Sequence, residues 1–184
     1  MSDPRFRLTG GRVCLDLVAT LGRRHAPEQV ERVPDEATFA DWLVAAGLAT
    51  SPPDVRPEDL GAARELREAV HRLVRAAMTG GEFDPADTAR INAAATHPDL
   101  APQLAGPGRL VLGPAARPVE AALATIARDA VHLLSGPRTN RIKECEHPDC
   151  SLLFFDDSPP GRRRWCSMDR CGNLVKIAGY RSRR

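Results

Sequence analysis

The chain of 184 residues is 42 % hydrophobic and 27 % charged with a formal net charge of +2, the make-up of a globular chain of one or two domains. No run approaches the roughly 20 apolar residues of a transmembrane helix, and Met1-Ser2-Asp3-Pro4-Arg5 lacks the apolar core of a secretory signal, so no membrane partner and a reducing cytoplasm are expected. Arginine outnumbers lysine 24 to 2 and alanine is abundant, the bias of a GC-rich bacterial genome.

In chain order, Phe6, Leu8, Val13, Leu15 and Leu17 alternate loosely around Gly10-Gly11, which fits a hairpin or a strand followed by a helix; the second is favoured. Cys14 reads as a small core side chain, and Asp16 as a buried, hydrogen-bonded carboxylate rather than part of a ligand pocket. Arg23, Arg24 and His25 lie in a loop ending at Pro27, before a short strand over residues 30 to 33. Asp35, an acidic first turn and Phe39, Trp42, Leu43 and Ala46 at helical spacing predict a helix that Gly47 stops. The clearest helix opens at Pro57-Glu58-Asp59 and runs to Gly80-Gly81, with Leu60, Ala63, Leu66, Val70, Leu73, Val74 and Ala77 as its core stripe. Mostly outside the stripe lie Arg64, Arg67, Glu68, Arg72 and Arg75, with Arg64–Glu68 and Glu68–Arg72 as i, i+4 pairs, and they predict a solvated, salt-bridged surface that also carries His71.

Asp84-Pro85 starts a further helix that His97-Pro98 ends, and a Pro- and Gly-rich loop then runs to residue 108. Residues 109 to 112 read as a strand available to the N-terminal strand. Residues 119 to 134 form the last helix of the domain, with Leu123, Ile126, Ala127, Ala130 and Leu134 as its stripe and Gly136-Pro137 as its stop. The expected class is α+β: a mostly helical, alanine-rich N-terminal domain with a few short strands over residues 1 to 137, then a small four-cysteine zinc module over 138 to 184. No Gly-rich phosphate loop, G-x-S-x-G elbow or H-E-x-x-H is present and the five histidines are scattered, so no enzyme is expected.

The module's signature is Cys145-Glu-His-Pro-Asp-Cys150 and Cys166-Ser-Met-Asp-Arg-Cys171, two C-x4-C pairs separated by fifteen residues. Four thiolates in two local pairs, each closing a turn, suit a closed tetrahedral Zn2+ site, so Cys145, Cys150, Cys166 and Cys171 are the expected ligands. Two disulfides, a catalytic zinc with an open position, and His147 in place of one cysteine are alternatives; the Arg-rich flanks and the closed shell of four sulfurs favour structural zinc. Leu152-Leu153-Phe154-Phe155, the turn signal of residues 156 to 161 and the extended residues 162 to 165 predict a β-hairpin between the pairs. Leu174, Ile177, Ala178 and Arg181 predict a helix starting near the fourth ligand, which completes a treble-clef-like arrangement. A segment this small cannot build a sufficient core from two short apolar runs, so the metal is expected to stabilise it by on the order of 10 kcal/mol, and its removal to leave the segment disordered.

From residue 161 onward eight basic groups face one acidic group, a net of +7, whereas the other 160 residues hold 18 basic and 23 acidic groups, a net of −5. Zinc with four thiolates lowers the module's charge by about two units, and what is left still suits a polyanion. The expected nucleic-acid contacts are Arg162, Arg163, Arg164, Arg170, Asn173, Lys176, Tyr180, Arg181, Arg183 and Arg184, with Asn173, Lys176 and Tyr180 on a helix face fit for a major groove; Asn173 has helix capping as its alternative role. DNA is the expected partner. RNA stays open, with Trp165 and Tyr180 as stacking groups, and so do an acidic protein partner and a redox sensor based on thiolate oxidation or zinc loss. The front domain has two open roles, forming a homodimer or taking a small-molecule effector.

Cys171-Gly172-Asn173, after a C-x4-C pair and before a basic helix, resembles the CGNR zinc finger family, and Leu15-Asp16-Leu17-Val18-Ala19-Thr20 is similar to the opening motif of the ABATE domain that precedes such fingers in small bacterial proteins. The resemblance spans much of the chain and implies a zinc-dependent DNA-binding module in a transcription regulator. Two positions depart from the pattern. Leu174 stands where the family name has Arg, which removes one cation and the phosphate contact it would make, and Ala19 stands where Asn is expected. Neither is a zinc ligand.

Overall fold

The computed structural model describes residues 3–181. Four helices form the bulk of its N-terminal part, and each has its own start signal. Helix α2 (Glu36–Ala45) is capped by Asp35, whose carboxylate accepts from the Thr38 amide at 2.8 Å. Helix α3 (Pro57–Thr79) has proline in its first turn, Asp59 accepting from the Arg56 amide at 3.1 Å, and Gly80 in the left-handed region at φ 69° as its stop. Helix α4 (Pro85–Thr96) is capped by Asp84, and α5 (Pro118–Ser135) also opens on proline, which costs nothing where no helical hydrogen bond is due. Their apolar stripes, including Leu66, Val70 and Val74 of α3 and Ile126 and Ala130 of α5, are buried together, and Phe39 stacks on Trp42 with ring centres 5.8 Å apart.

A short helix, α1 (Val13–Val18), is packed against α3 and α5. Six residues do not hold a helix alone, so tertiary bonds hold this one. Asp129 of α5 accepts from the Cys14 amide at 3.0 Å and pairs with Arg12 at 2.7 Å, while Asp16 accepts from the Gly10 amide at 2.8 Å. The strand expected over the preceding residues is not among the described strands. Residues 3 to 12 run as turns and irregular chain, because Gly10 folds back on α1 so closely that a methyl group there would lie 2.9 Å from Leu15 Cβ.

Three antiparallel pairs complete the α+β architecture: β1 (Leu21–Gly22) with β2 (Val30–Glu31), β3 (Pro102–Leu104) with β4 (Leu110–Leu112), and β5 (Ile142–Glu144) with β6 (Leu153–Phe155). Two pairings differ from expectation. Strand β4 takes residues 102 to 104 of the supposed loop as its partner instead of the N-terminal segment, since a short closure stabilised by Gly106 and Gly108 at positive φ is far cheaper than a long one. Strand β6 pairs with residues before the first cysteine, not with residues 162 to 165; the first C-x4-C turn therefore forms the tip of the β5–β6 hairpin.

The polar face of α3 also differs. Glu68 pairs with Arg24 at 2.7 Å and Arg67 at 2.8 Å, Arg72 pairs with Asp87 at 2.6 Å, and Arg64 donates to the Val33 and Pro34 carbonyls. Arg67 is buried against Glu31 of β2 at 2.8 Å. Pairs along one exposed helix are worth only a few tenths of a kcal/mol, so partners brought by neighbouring elements displace them. His71 is half-buried here, not on the surface, and burial, with the Arg24 charge beside it, pulls its pKa down to about 4.

Strand β6 alternates between two cores. Leu153 and Phe155, with Ile142, join the main helical core; Leu152 and Phe154 join a smaller core made by Ala19, Trp165 and the cysteines. Backbone bonds fix the junction, with the Phe155 amide donating to the Gly10 carbonyl at 2.8 Å and the Arg24 amide to Ser151 Oγ at 2.9 Å. Arg75 and His25 both engage Glu144 of β5. Among the described residues no helix is long and apolar enough to cross a membrane.

Candidate metal centre and nucleic-acid interface

The four cysteines arrive from two kinds of turn. The Cys145 amide donates to the Leu152 carbonyl at 3.0 Å, extending the β5–β6 ladder by one rung, and the Cys150 amide donates to the His147 carbonyl at 2.9 Å to close the turn. His147 Nδ1 accepts from the Asp149 amide at 3.2 Å, so its ring serves the turn. The second pair lies on the far side of the extended residues 162 to 165, where Cys171 sits in a π-helical turn, Met168–Gly172, that continues into α6 (Asn173–Arg181). Gly172 lets Trp165 and Met168 close on this turn: a methyl group there would stand 2.8 Å from Trp165 Cδ1 and 2.9 Å from Met168 Sδ.

The four sulfurs lie within 4.8 Å of one another, with Cys150 to Cys166 at 3.9 Å and Cys166 to Cys171 at 3.6 Å. Zinc–sulfur bonds of about 2.3 Å in a tetrahedron give edges of about 3.8 Å, so the residues fit the ion. Electrostatics demand one. Without a cation, the hydrogen bond to Cys150, burial and the crowding of like charges push the Cys166 thiol up, and burial with the Cys150 charge pushes Cys171 up to about 12. Cys150 alone is lowered, to about 5, by the hydrogen bond from Cys166 and the Leu152 amide. Four thiolates coexist here only when an ion shares their charge.

Asp156, fully buried, organises the loop between the pairs. It accepts from Lys143 Nζ at 2.9 Å, from the Arg163 amide at 2.9 Å and from Ser158, and Lys143 also donates to the Gly161 carbonyl at 2.6 Å. Burial alone would raise its pKa, but the bonds from Ser158, Lys143 and Arg163 outweigh that and hold the carboxyl well below the usual range. The spacing of residues 156 to 161 predicts only a turn, and the one signal for more is Lys143, one of just two lysines in an arginine-rich chain.

The expected nucleic-acid contacts separate into groups. Arg162, Arg170, Asn173 and Lys176 are exposed, and among the described residues Arg162, Arg170 and Lys176 form no salt bridge. Arg164 lies over the Trp165 ring at 4.3 Å and pairs with Glu146 at 2.6 Å. Arg163 turns inward, over Phe154 at 4.8 Å, and donates to the Cys166 carbonyl at 2.9 Å. Asn173 does not cap α6: the helix continues from the π-turn, and Asn173 Nδ2 donates back to the Asp169 carbonyl at 3.3 Å. The side chains of Tyr180 and Arg181, and the whole of Arg183 and Arg184, lie outside the described residues. Leu174, Val175 and Ile177 are exposed, and the side chain of Ala178, which shares the helical spacing of Leu174 and Ile177, lies outside the described residues.

A cleft of about 530 Å³ separates residues 3 to 9 from the module, with Arg7, Arg32, Leu174 and three of the cysteines among its walls. Burial lowers the pKa of Arg32, partly offset by the negative charge of Cys150, so the N-terminal part supplies a cation beside the sulfurs, which residue spacing did not reveal.

Residues 11–137 match the ABATE family, whose description reads "Putative stress-induced transcription regulator", and residues 141–184 match the CGNR zinc finger. No curated protein matches the chain. With four converging sulfurs inside the span of the finger, the cofactor is Zn2+.

Proposed function

We propose that this chain, which belongs to the ABATE family and ends in a zinc-binding CGNR finger, is a zinc-dependent DNA-binding transcription regulator of the bacterial cytoplasm. One observation carries the reading: Arg162, Arg170 and Lys176 stand exposed without salt-bridge partners among the described residues on the module in which the four sulfurs converge. Cations that no carboxylate neutralises attract phosphates and release the counterions condensed on them. Asn173, three residues from both Arg170 and Lys176, makes one side-chain hydrogen bond among the described residues, through Nδ2, and its carboxamide is the group that reads adenine in a major groove. The role is binding rather than catalysis, because four sulfurs close the coordination shell and leave no position for a substrate.

The test is fluorescence anisotropy of duplex DNA with the zinc-loaded full chain, repeated after chelation and across a salt series. Binding that needs zinc and weakens with a log–log salt slope of about −3 to −6 supports the reading. Absence of binding at low salt overturns it. A second reading then takes its place, favoured by the exposed Met168, Leu174, Val175 and Ile177: a zinc-shaped surface that docks on a protein.

A further inference from the structure

The four sulfurs are not equally covered. Cys145, Cys166 and Cys171 are buried, whereas Cys150 is half-exposed. Cys150 also borders two openings, the cleft of about 530 Å³ on one side and a smaller hollow of about 80 Å³ beside Arg23, His25 and Pro148 on the other. Cys145 borders neither, and Cys166 and Cys171 meet only the first. A small solute therefore reaches the centre first at Cys150, through openings whose walls also carry Arg23 and Arg32. Across the two pairs, Cys166 Sγ is 3.9 Å away and needs only a short approach to bond.

We propose that Cys150 is an oxidation site, the thiolate that a hydroperoxide attacks first, and that Cys166 resolves it into a Cys150–Cys166 disulfide. The Cys150 sulfur gives two electrons to the terminal peroxide oxygen; an S–O bond forms, the O–O bond breaks, and the leaving oxygen departs as water after taking a proton. The Cys166 thiolate then attacks the sulfenic sulfur, an S–S bond forms and hydroxide leaves as water with a second proton. Two thiolates, one hydrogen peroxide and two protons thus give one disulfide and two waters. Two ligands lost together leave the remaining pair unable to close the metal's shell, so zinc departs with the bridge. The inference concerns the centre itself and holds whatever the finger binds.

The experiment treats the zinc-loaded full chain with hydrogen peroxide in the presence of dimedone, follows zinc with a colorimetric chelator, and maps adducts and bridges by peptide mass spectrometry. The expected result is dimedone on Cys150 in at least about fivefold excess over every other cysteine at early times. Without dimedone, a Cys150–Cys166 bridge forms in step with zinc release, and reductant plus zinc restores the centre. Cys14, fully buried in the helical core, is the internal control, and Cys14→Ala leaves the pattern unchanged. A first adduct on another cysteine, a bridge other than Cys150 to Cys166, or no zinc release at about a hundredfold excess of peroxide overturns the proposal.

Discussion

Phe154 and Phe155 are adjacent on β6 and are buried in different cores, Phe154 beside the cysteines and Phe155 among the helices. The β5–β6 hairpin thereby owes its place to the helical domain as much as to the metal. Chelation is expected to loosen the cysteine turns and α6 while the hairpin stays docked, in place of the wholesale disorder that the small size of the segment suggested. Hydrogen exchange read by mass spectrometry checks this. Amides of residues 142 to 144 and 153 to 155 stay protected after zinc removal, and those of 166 to 177 exchange fast; loss of protection in the hairpin would show that the metal alone holds it.

The two phenylalanines should separate on substitution. Phe155→Ala opens a cavity in the main core and is expected to cost about 3–5 kcal/mol of global stability, with zinc retention little changed. Phe154→Ala strips the floor of the small core, and its larger effect is faster zinc loss to a chelator. Urea unfolding and zinc-release kinetics on both variants distinguish the two roles.

Arg163 and Arg170, both expected to meet nucleic acid, are predicted to behave differently. Arg170→Ala should leave folding intact and shallow the salt slope of DNA binding by about 0.9. Arg163→Ala removes the guanidinium over Phe154 and the bond to the Cys166 carbonyl, so a loss of about 1–3 kcal/mol in stability precedes any effect on DNA. Thermal melts alongside anisotropy titrations decide between these outcomes.

Much of this fold was legible because its signals are local. Pro57, Pro85, Asp35 and Asp84 mark helix starts where the helices begin, and the spacing of the cysteines brings their sulfurs together. What was not legible depends on which element arrives from elsewhere. The run of residues 152 to 155 announces burial on both faces, yet names neither its partner strand nor the wall behind it. Arg67 reads as surface until Glu31 meets it from β2. Leu174 and Ile177 keep helical spacing but are 52 % and 49 % exposed, because among the described residues no second layer of so small a module covers them.

Two buried groups set opposing pH dependences. Burial and the Asp129 charge raise the Asp16 pKa to about 7 from an ordinary 3.8, so its contribution to stability is full below about pH 4 and is lost as pH rises towards 7. His71, lowered to about 4 from 6.5, acts in reverse: its contribution is full above pH 6.5 and is lost as pH falls towards 4. Between pH 5 and 6.5, with zinc in excess, the two slopes are expected to offset each other. Asp16→Asn should then lose stability on acidification and His71→Phe on alkalinisation, as urea midpoints at each pH would show; parallel profiles for both variants would contradict the assignment.

Because Ala19, the residue on which α1 ends, is part of the small core, the helical domain touches the wall of the metal centre directly. A finger joined by a free linker swivels and spends orientation each time it docks. Here the aim of the hairpin is fixed when the chain folds, through the Gly10–Phe155 bond and the shared strand. The centre therefore cannot be transplanted as a cassette. Residues 141–184 cut out alone would expose Ile142, Leu153 and Phe155, and residues 11–137 alone would lose the strand that seals their own interior.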